Sequence, residues 1–187
     1  MKIKEITLTA IFSAILCLLS IITFPIGTVP VSLATFGVMI IGSFLNPKCA
    51  IVSVLVYIIL GSIGLPIFSS FGSGLSVIFG ATGGYIIAYP IMAAVISIIA
   101  DKNKKHRKTM PLFSYIISLI VCYSLSSVWY SAVTQIPFKN ALTVAVLPFI
   151  IPDLIKIFLA IITVSAAEKS IFKNSVSAHY KNSEVDK

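Results

Sequence analysis

The chain has 187 residues, of which 58% are hydrophobic and 11% are charged, and its mean hydropathy is +1.05. Soluble domains carry about 25% charged residues, so this composition excludes a soluble globular domain and predicts an all-α integral membrane protein. The formal net charge of +8 does not call for a nucleic-acid partner, because the positive residues lie mainly between and outside the apolar segments.

Six apolar segments predict six transmembrane helices, since a membrane-spanning helix needs about 20 mostly apolar residues. They cover approximately residues 6–24, 32–45, 49–63, 83–100, 112–134 and 152–167. A turn is predicted at residues 25–30, and residues 137–151 are predicted to form an apolar connection with a short helix. Pro152 is predicted at the first position of the last helix, where its missing N–H costs nothing. We expect a six-helix domain over residues 1–170 and a polar cytoplasmic tail over residues 171–187.

The stretch from Gly61 to Tyr85, between the third and fourth segments, contains no charged residue and seven of the ten glycines. Glycine permits positive φ and a close approach of the backbone. Irregular backbone at membrane depth survives only where it is buried in protein or lines a cavity. This glycine-rich loop is therefore predicted to dip into the helices and to line a site.

The basic residues predict the orientation of the helices, because lysine and arginine in short loops mark the cytoplasmic face. With both termini inside, 12 of the 14 positive residues lie in the N-terminus, the 46–48 turn, the 101–110 loop and the tail. The two others are Lys139, in an outer loop, and Lys156, inside the last segment. The sequence predicts a multi-pass membrane protein, surrounded by lipid, with cytoplasmic N- and C-termini.

Two charged residues, Asp153 and Lys156, lie inside the predicted membrane region and share one helix face at a spacing of i, i+3. A charge at the centre of a membrane helix costs roughly 2.5–3.5 kcal/mol, and such residues usually face a cavity or a partner. The pair offers an anionic acceptor and a cationic donor to one small ligand. A structural ion pair is the alternative, as is a helix cap at Asp153 with Lys156 reaching outward.

Sequence motifs for catalysis are missing. There is no G-x-x-x-x-G-K-[ST] phosphate loop, no G-x-S-x-G and no H-E-x-x-H. The two histidines, His106 and His179, lie in the basic loop and the tail, so we expect no metal site. The chain is predicted not to be an enzyme; a membrane-embedded enzyme that uses Asp153 and Lys156 is the distant alternative.

Three runs of sequence together resemble the BioY family, the biotin-binding S components of energy-coupling-factor (ECF) transporters. They are VPVSLATF at 29–36, GLPIFSSFGSGLSVIFGATGGY at 64–85 and FIIPDLIK at 149–156. The resemblance covers nearly the whole chain. It implies a six-helix S-component fold in the bacterial cell membrane that binds biotin on the outer side, without a cofactor of its own. It also implies association with a transmembrane coupling protein and two ATPases, which supply the energy.

The resemblance also implies site residues. The acidic and lysine positions near the start of the last helix match Asp153 and Lys156, and Thr35 is a polar candidate near the outer face. The further candidate ligand contacts in and after the glycine-rich loop are Phe71, Gly72, Gly83, Gly84 and Tyr85. As a hypothesis, Asp153 accepts a hydrogen bond from a ureido N–H of biotin, while Lys156 pairs with Asp153 or meets an oxygen of the ligand. Phe71 and Tyr85 would pack on the rings.

The first segment carries a small-x-x-x-small pair, Ala10 and Ala14, which matches the motif by which S components dock the coupling protein. Small residues four apart let helices approach closely, so internal packing is the alternative role. Two positions depart from the family pattern: Ala34 stands where many relatives have glutamine, and Ala81 where many have proline. An S component for a different vitamin therefore remains a second interpretation, and a structural or regulatory membrane protein a third.

Overall fold

The computed structural model of the chain describes residues 2–25, 30–102 and 110–185. Its helices are α1 (Ile3–Ile21), α2 (Ala34–Phe44), α3 (Pro47–Ser62), α4 (Leu75–Ile78), α5 (Gly83–Lys102), α6 (Met110–Thr134), α7 (Phe138–Ala145) and α8 (Leu147–Val185). Strands β1 (Thr23–Phe24) and β2 (Val31–Ser32) form a short antiparallel pair. The fold is all-α as predicted. Each of the six predicted segments corresponds to a helix, and α7 is the short helix predicted within residues 137–151. The short helix α4, inside the glycine-rich loop, is additional.

Four stretches of the described residues are long and apolar enough to cross a membrane: Ile3–Ile21, Gly83–Asp101, Pro111–Thr134 and Phe138–Ala167. Helices α2 and α3 are apolar but shorter, with 11 and 16 residues. At 1.5 Å per residue, α2 is only about 16 Å long. Strand β2 directly precedes α2 and pairs with β1, which follows the end of α1.

The last helix begins at Leu147, so the prediction that it begins near Pro152 is wrong. Pro152 lies inside α8, where it removes one backbone hydrogen bond. Membrane helices tolerate this loss because neighbouring groups satisfy the freed carbonyl. Asp153 consequently lies six residues after the first residue of α8 and does not cap its N-terminus. The helix also continues to Val185 and so includes most of the predicted tail. The division into a membrane domain and a separate tail remains a prediction.

Helix α5 is the centre of the bundle and packs against α6, α2 and α3. Its contact with α6 depends on Gly84, where a Cβ would lie 2.6 Å from Cβ of Trp129 and 2.9 Å from Cα of Ser126. A side chain at this position would push the two helices apart. Two predicted loops fall largely outside the described residues: 26–29 of the predicted turn and 103–109 of the basic loop.

Candidate ligand-binding site

Thr35, Asp153 and Lys156 form a buried polar cluster between α2 and α8. Nζ of Lys156 donates to Oδ1 of Asp153 at 2.7 Å and to Oγ1 of Thr35 at 3.0 Å. Oγ1 of Thr35 in turn donates to the same carboxylate oxygen at 3.1 Å. The three residues are at most 5% exposed. The structure thus brings together three predicted site residues that are separated by up to 121 positions in the chain.

A fourth side chain, Tyr123 of α6, completes the cluster from the opposite side. Its hydroxyl donates to Oδ2 of Asp153 at 2.5 Å. Tyr123 is not among the site residues that the sequence predicts. The available signal was a tyrosine within an apolar span, because a buried tyrosine hydroxyl usually finds a hydrogen-bond partner. The Asp153 carboxylate therefore accepts from three donors, and its charge is balanced by the ammonium group of Lys156.

A cavity lies beside this cluster, at the end of the bundle where α1 and α3 end and α2, α5 and α8 begin. It is lined by Pro30, Ser32, Thr35, Tyr57, Ser69, Val77, Thr82, Tyr85, Ile86, Tyr89, Phe149 and Lys156. Lys156 and Thr35 reach the cavity surface, whereas Asp153 lies behind them. Lys156 has three N–H donors, of which Asp153 and Thr35 take two. The lining thus combines aromatic walls with a few hydroxyl groups and one ammonium group.

The cavity encloses about 30 Å³, which is room for about one or two water molecules. Pockets for small ligands usually measure about 300–1,000 Å³. A vitamin-sized ligand can enter only if part of the lining moves. Ser69, Val77 and Thr82 belong to the glycine-rich loop and its short helix, whereas most other lining residues lie on long helices. We therefore expect the loop to be the part of the lining that moves.

The remaining predicted contact residues occupy different places. Tyr85 lines the cavity, its hydroxyl donates to the carbonyl of Ala145, and its ring lies 5.3 Å from that of Phe149. Gly83 and Gly84 are buried where α5 begins, and Gly84 packs against α6. Phe71 is 66% exposed and, like Gly72, lies outside the cavity lining.

Phe68, rather than Phe71, is the aromatic anchor of the glycine-rich loop. Its side chain is fully buried, and its ring lies directly over Gly61, where a Cβ would overlap it. The ring of Tyr57, which lines the cavity, meets it edge-on at 5.4 Å and 81°. The N–H of Gly74 also donates to the carbonyl of Gly61 at 2.8 Å. The loop is therefore seated on α3 next to the cavity.

Helix α1 is also attached to this loop. The hydroxyl of Ser20 donates to the backbone carbonyl of Ile67, one residue before the buried Phe68. On the other side of α1, Ala10 and Ala14 are exposed, whereas internal packing would bury them. One helix thus carries both an attachment for the loop and an uncovered pair of small residues.

Comparisons with known proteins agree with this architecture. The model of the BioY family matches residues 1–173. The probable biotin transporter BioY of Pyrococcus horikoshii is 36% identical over 162 residues, which cover 87% of this chain and 94% of that protein. The biotin transporter BioY2 of Lactococcus lactis subsp. cremoris is 34% identical over 162 residues, which cover 86% and 88% of the two chains.

A solved structure shares the fold. The crystal structure of the S-component for biotin from an ECF-type ABC transporter superposes with a TM-score of 0.82 at 28% sequence identity. The match covers 89% of this chain and 92% of that chain.

Proposed function

Because this chain belongs to the BioY family and has the fold of an S-component, we propose that it is the membrane-embedded subunit that binds biotin in an ECF-type uptake transporter. The observation that carries the proposal is the aromatic cavity with the buried pair of Asp153 and Lys156 at its edge. A binding subunit of this kind is not an enzyme. Biotin is the transported ligand, and no resident cofactor is needed.

The chemistry of biotin suits this cavity. Its ureido ring offers two N–H donors and a carbonyl acceptor, its thiophane ring is apolar, and its tail ends in a carboxylate. Lys156 has one N–H left for a ligand oxygen, either the ureido carbonyl or the tail carboxylate. A carboxylate has about four lone-pair sites, so Asp153 can accept one more N–H when the cavity opens. Tyr85 and the neighbouring aromatic residues supply the apolar walls.

A binding assay with radiolabelled biotin on the purified protein tests this proposal directly. We expect saturable binding that unlabelled biotin and desthiobiotin compete, because both present a ureido ring. Thiamine and riboflavin should not compete, since neither has that ring. Absence of specific biotin binding would overturn the proposal, and competition by thiamine or riboflavin would indicate an S component for a different vitamin.

We expect the glycine-rich loop to close over the ligand. Amide hydrogen exchange across residues 64–82 should slow when biotin is added, because a loop that must open for entry becomes held by ligand contacts. The helical residues 92–100 of α5, which lie beyond the cavity lining, provide an internal control with little change. Identical exchange in residues 64–82 with and without biotin would contradict the role of this loop as a lid.

The energy for uptake would come from other subunits. We propose that a transmembrane coupling protein, joined to two ATPases, docks at the exposed pair of Ala10 and Ala14 on α1. The lysines at positions 2, 4 and 48 lie at the end of the bundle opposite the cavity. This placement supports an orientation with the cavity outside and both termini in the cytoplasm.

Replacing Ala14 with leucine is expected to abolish co-purification of the coupling protein, while biotin affinity stays within about twofold of wild type. The larger side chain keeps the two helices apart, but it lies outside the cavity. Ala166→Leu makes the same change on the exposed surface of α8 and should leave the complex intact. Normal complex formation by the Ala14→Leu variant would place the docking surface elsewhere.

A further inference from the structure

We propose that Tyr123 is a positioning residue for biotin binding, which acts by orienting the Asp153 carboxylate and, through it, the ammonium group of Lys156. The inference rests on the proposed function, because it concerns the same site. It goes further by assigning a role to a residue on α6 that does not line the cavity itself.

The two oxygens of Asp153 face different partners. Oδ1 accepts from Lys156 and Thr35, which both reach the cavity, whereas Tyr123 is the donor to Oδ2 among the hydrogen bonds of the described residues. This division holds the carboxylate with one edge toward the cavity. Without Tyr123, Oδ2 would be buried with no donor, and the carboxylate would turn so that both oxygens approach Lys156. The ammonium group would then be drawn away from the ligand.

Tyr123 also lies between the carboxylate and the outer surface of the bundle. It lines an apolar groove of about 140 Å³ between α6 and α8, together with Asp153. The other lining residues are Ile116, Leu119, Ile120, Ile150, Leu154 and Ile157. Several of them are exposed on the surface of the bundle, where the bilayer would cover them. Nothing in this apolar lining can replace the hydroxyl group as a donor, so its loss affects Asp153 directly.

Replacement of Tyr123 by phenylalanine is expected to weaken biotin binding by about fivefold to tenfold. Tyr115→Phe provides the matched control, because it removes a tyrosine hydroxyl on the same helix that is hydrogen-bonded to Ser43 at 2.6 Å, far from the cavity. Biotin affinity of the control should stay within about twofold of wild type. Titration calorimetry on detergent-purified protein gives both affinities.

A double-mutant cycle with Asp153→Asn separates positioning from a general structural effect. If Tyr123 acts through the carboxylate, Tyr123→Phe should cause little further loss of affinity in the Asp153→Asn background. An equal loss in both backgrounds would overturn the inference. If Tyr123→Phe does not fold, Tyr123→His takes its place in the same cycle, since the coupling test holds for any change at this position.

The outcomes also distinguish this inference from the proposed function. If the wild-type protein binds no biotin, the proposed function is wrong and the role of Tyr123 falls with it. If the wild type binds biotin and Tyr123→Phe binds it equally well, only the role of Tyr123 is overturned.

Discussion

Replacement of Asp153 by asparagine is expected to weaken biotin binding at least tenfold, which corresponds to about 1.4 kcal/mol or more. Asp153 is 1% exposed, and its carboxylate accepts from Lys156, Thr35 and Tyr123. An asparagine cannot balance the ammonium charge of Lys156. Its amide nitrogen is a donor, so it cannot accept the hydrogen bonds that one of the two carboxylate oxygens accepts. Removal of one partner of a buried ion pair typically costs about 3–5 kcal/mol in stability.

Two further variants make this result specific. Asp101→Asn makes the same chemical change at the opposite end of the bundle and should leave biotin affinity unchanged. The double variant Asp153→Leu, Lys156→Met replaces both charges with apolar side chains of similar volume, and such a replacement of a buried pair is often harmless to stability. We expect it to regain thermal stability without regaining affinity. Wild-type affinity in the double variant would mean that the pair is only structural.

The second large effect is expected at Phe68. Truncation of a buried phenylalanine to alanine typically lowers stability by about 3–5 kcal/mol. Here it removes the contacts with Gly61 and Tyr57 that hold the glycine-rich loop against α3. Without ligand, amide exchange in residues 64–82 should become faster. Biotin affinity should fall at least tenfold, because the free energy of re-ordering the loop opposes binding.

Phe71→Ala, three residues further along the same loop, provides the comparison. Phe71 is 66% exposed, so its truncation should leave amide exchange of the ligand-free protein unchanged. If Phe71 nevertheless packs on biotin when the loop closes, as the sequence predicts, this variant loses affinity only. Equal amide exchange in Phe68→Ala and wild type would show that Phe68 does not hold the loop.

Hydropathy and charge predict much of this fold because the membrane imposes them on the sequence locally. Apolar length marks the helices, and a charge within such a span stands out, as Asp153 and Lys156 do. The sequence places the start of α8 too late, because proline is common at the first position of a helix and Pro152 fits that position. The apolar residues before Pro152 also favour a helix, and the structure shows that they form one. The first residue of α8 depends on how the helices pack, and local sequence preferences do not include that packing.

The parts of the site that escaped prediction depend on contacts between distant segments. Tyr123 is 30 positions from Asp153, and only the packing of α6 against α8 reveals their hydrogen bond. In the glycine-rich loop, Phe68 and Phe71 are the same residue type, and the loop has no helical or strand periodicity that would predict which of them is buried. Ser70 and Phe71 have positive φ, and the chain turns there so that the ring of Phe68 is buried and that of Phe71 is exposed. Amino-acid composition does not predict this turn.

If the proposed coupling protein docks on α1, the hydrogen bond from Ser20 to Ile67 has a consequence for energy transfer between subunits. It connects the loop over the cavity to the helix that exposes Ala10 and Ala14, so we expect the state of the loop and the position of α1 to be thermodynamically linked. Linkage is reciprocal: whatever factor a subunit bound to α1 imposes on biotin affinity, biotin imposes on the affinity for that subunit. An empty and a loaded binding subunit would then compete for a shared energising partner on unequal terms, without any contact between that partner and the vitamin.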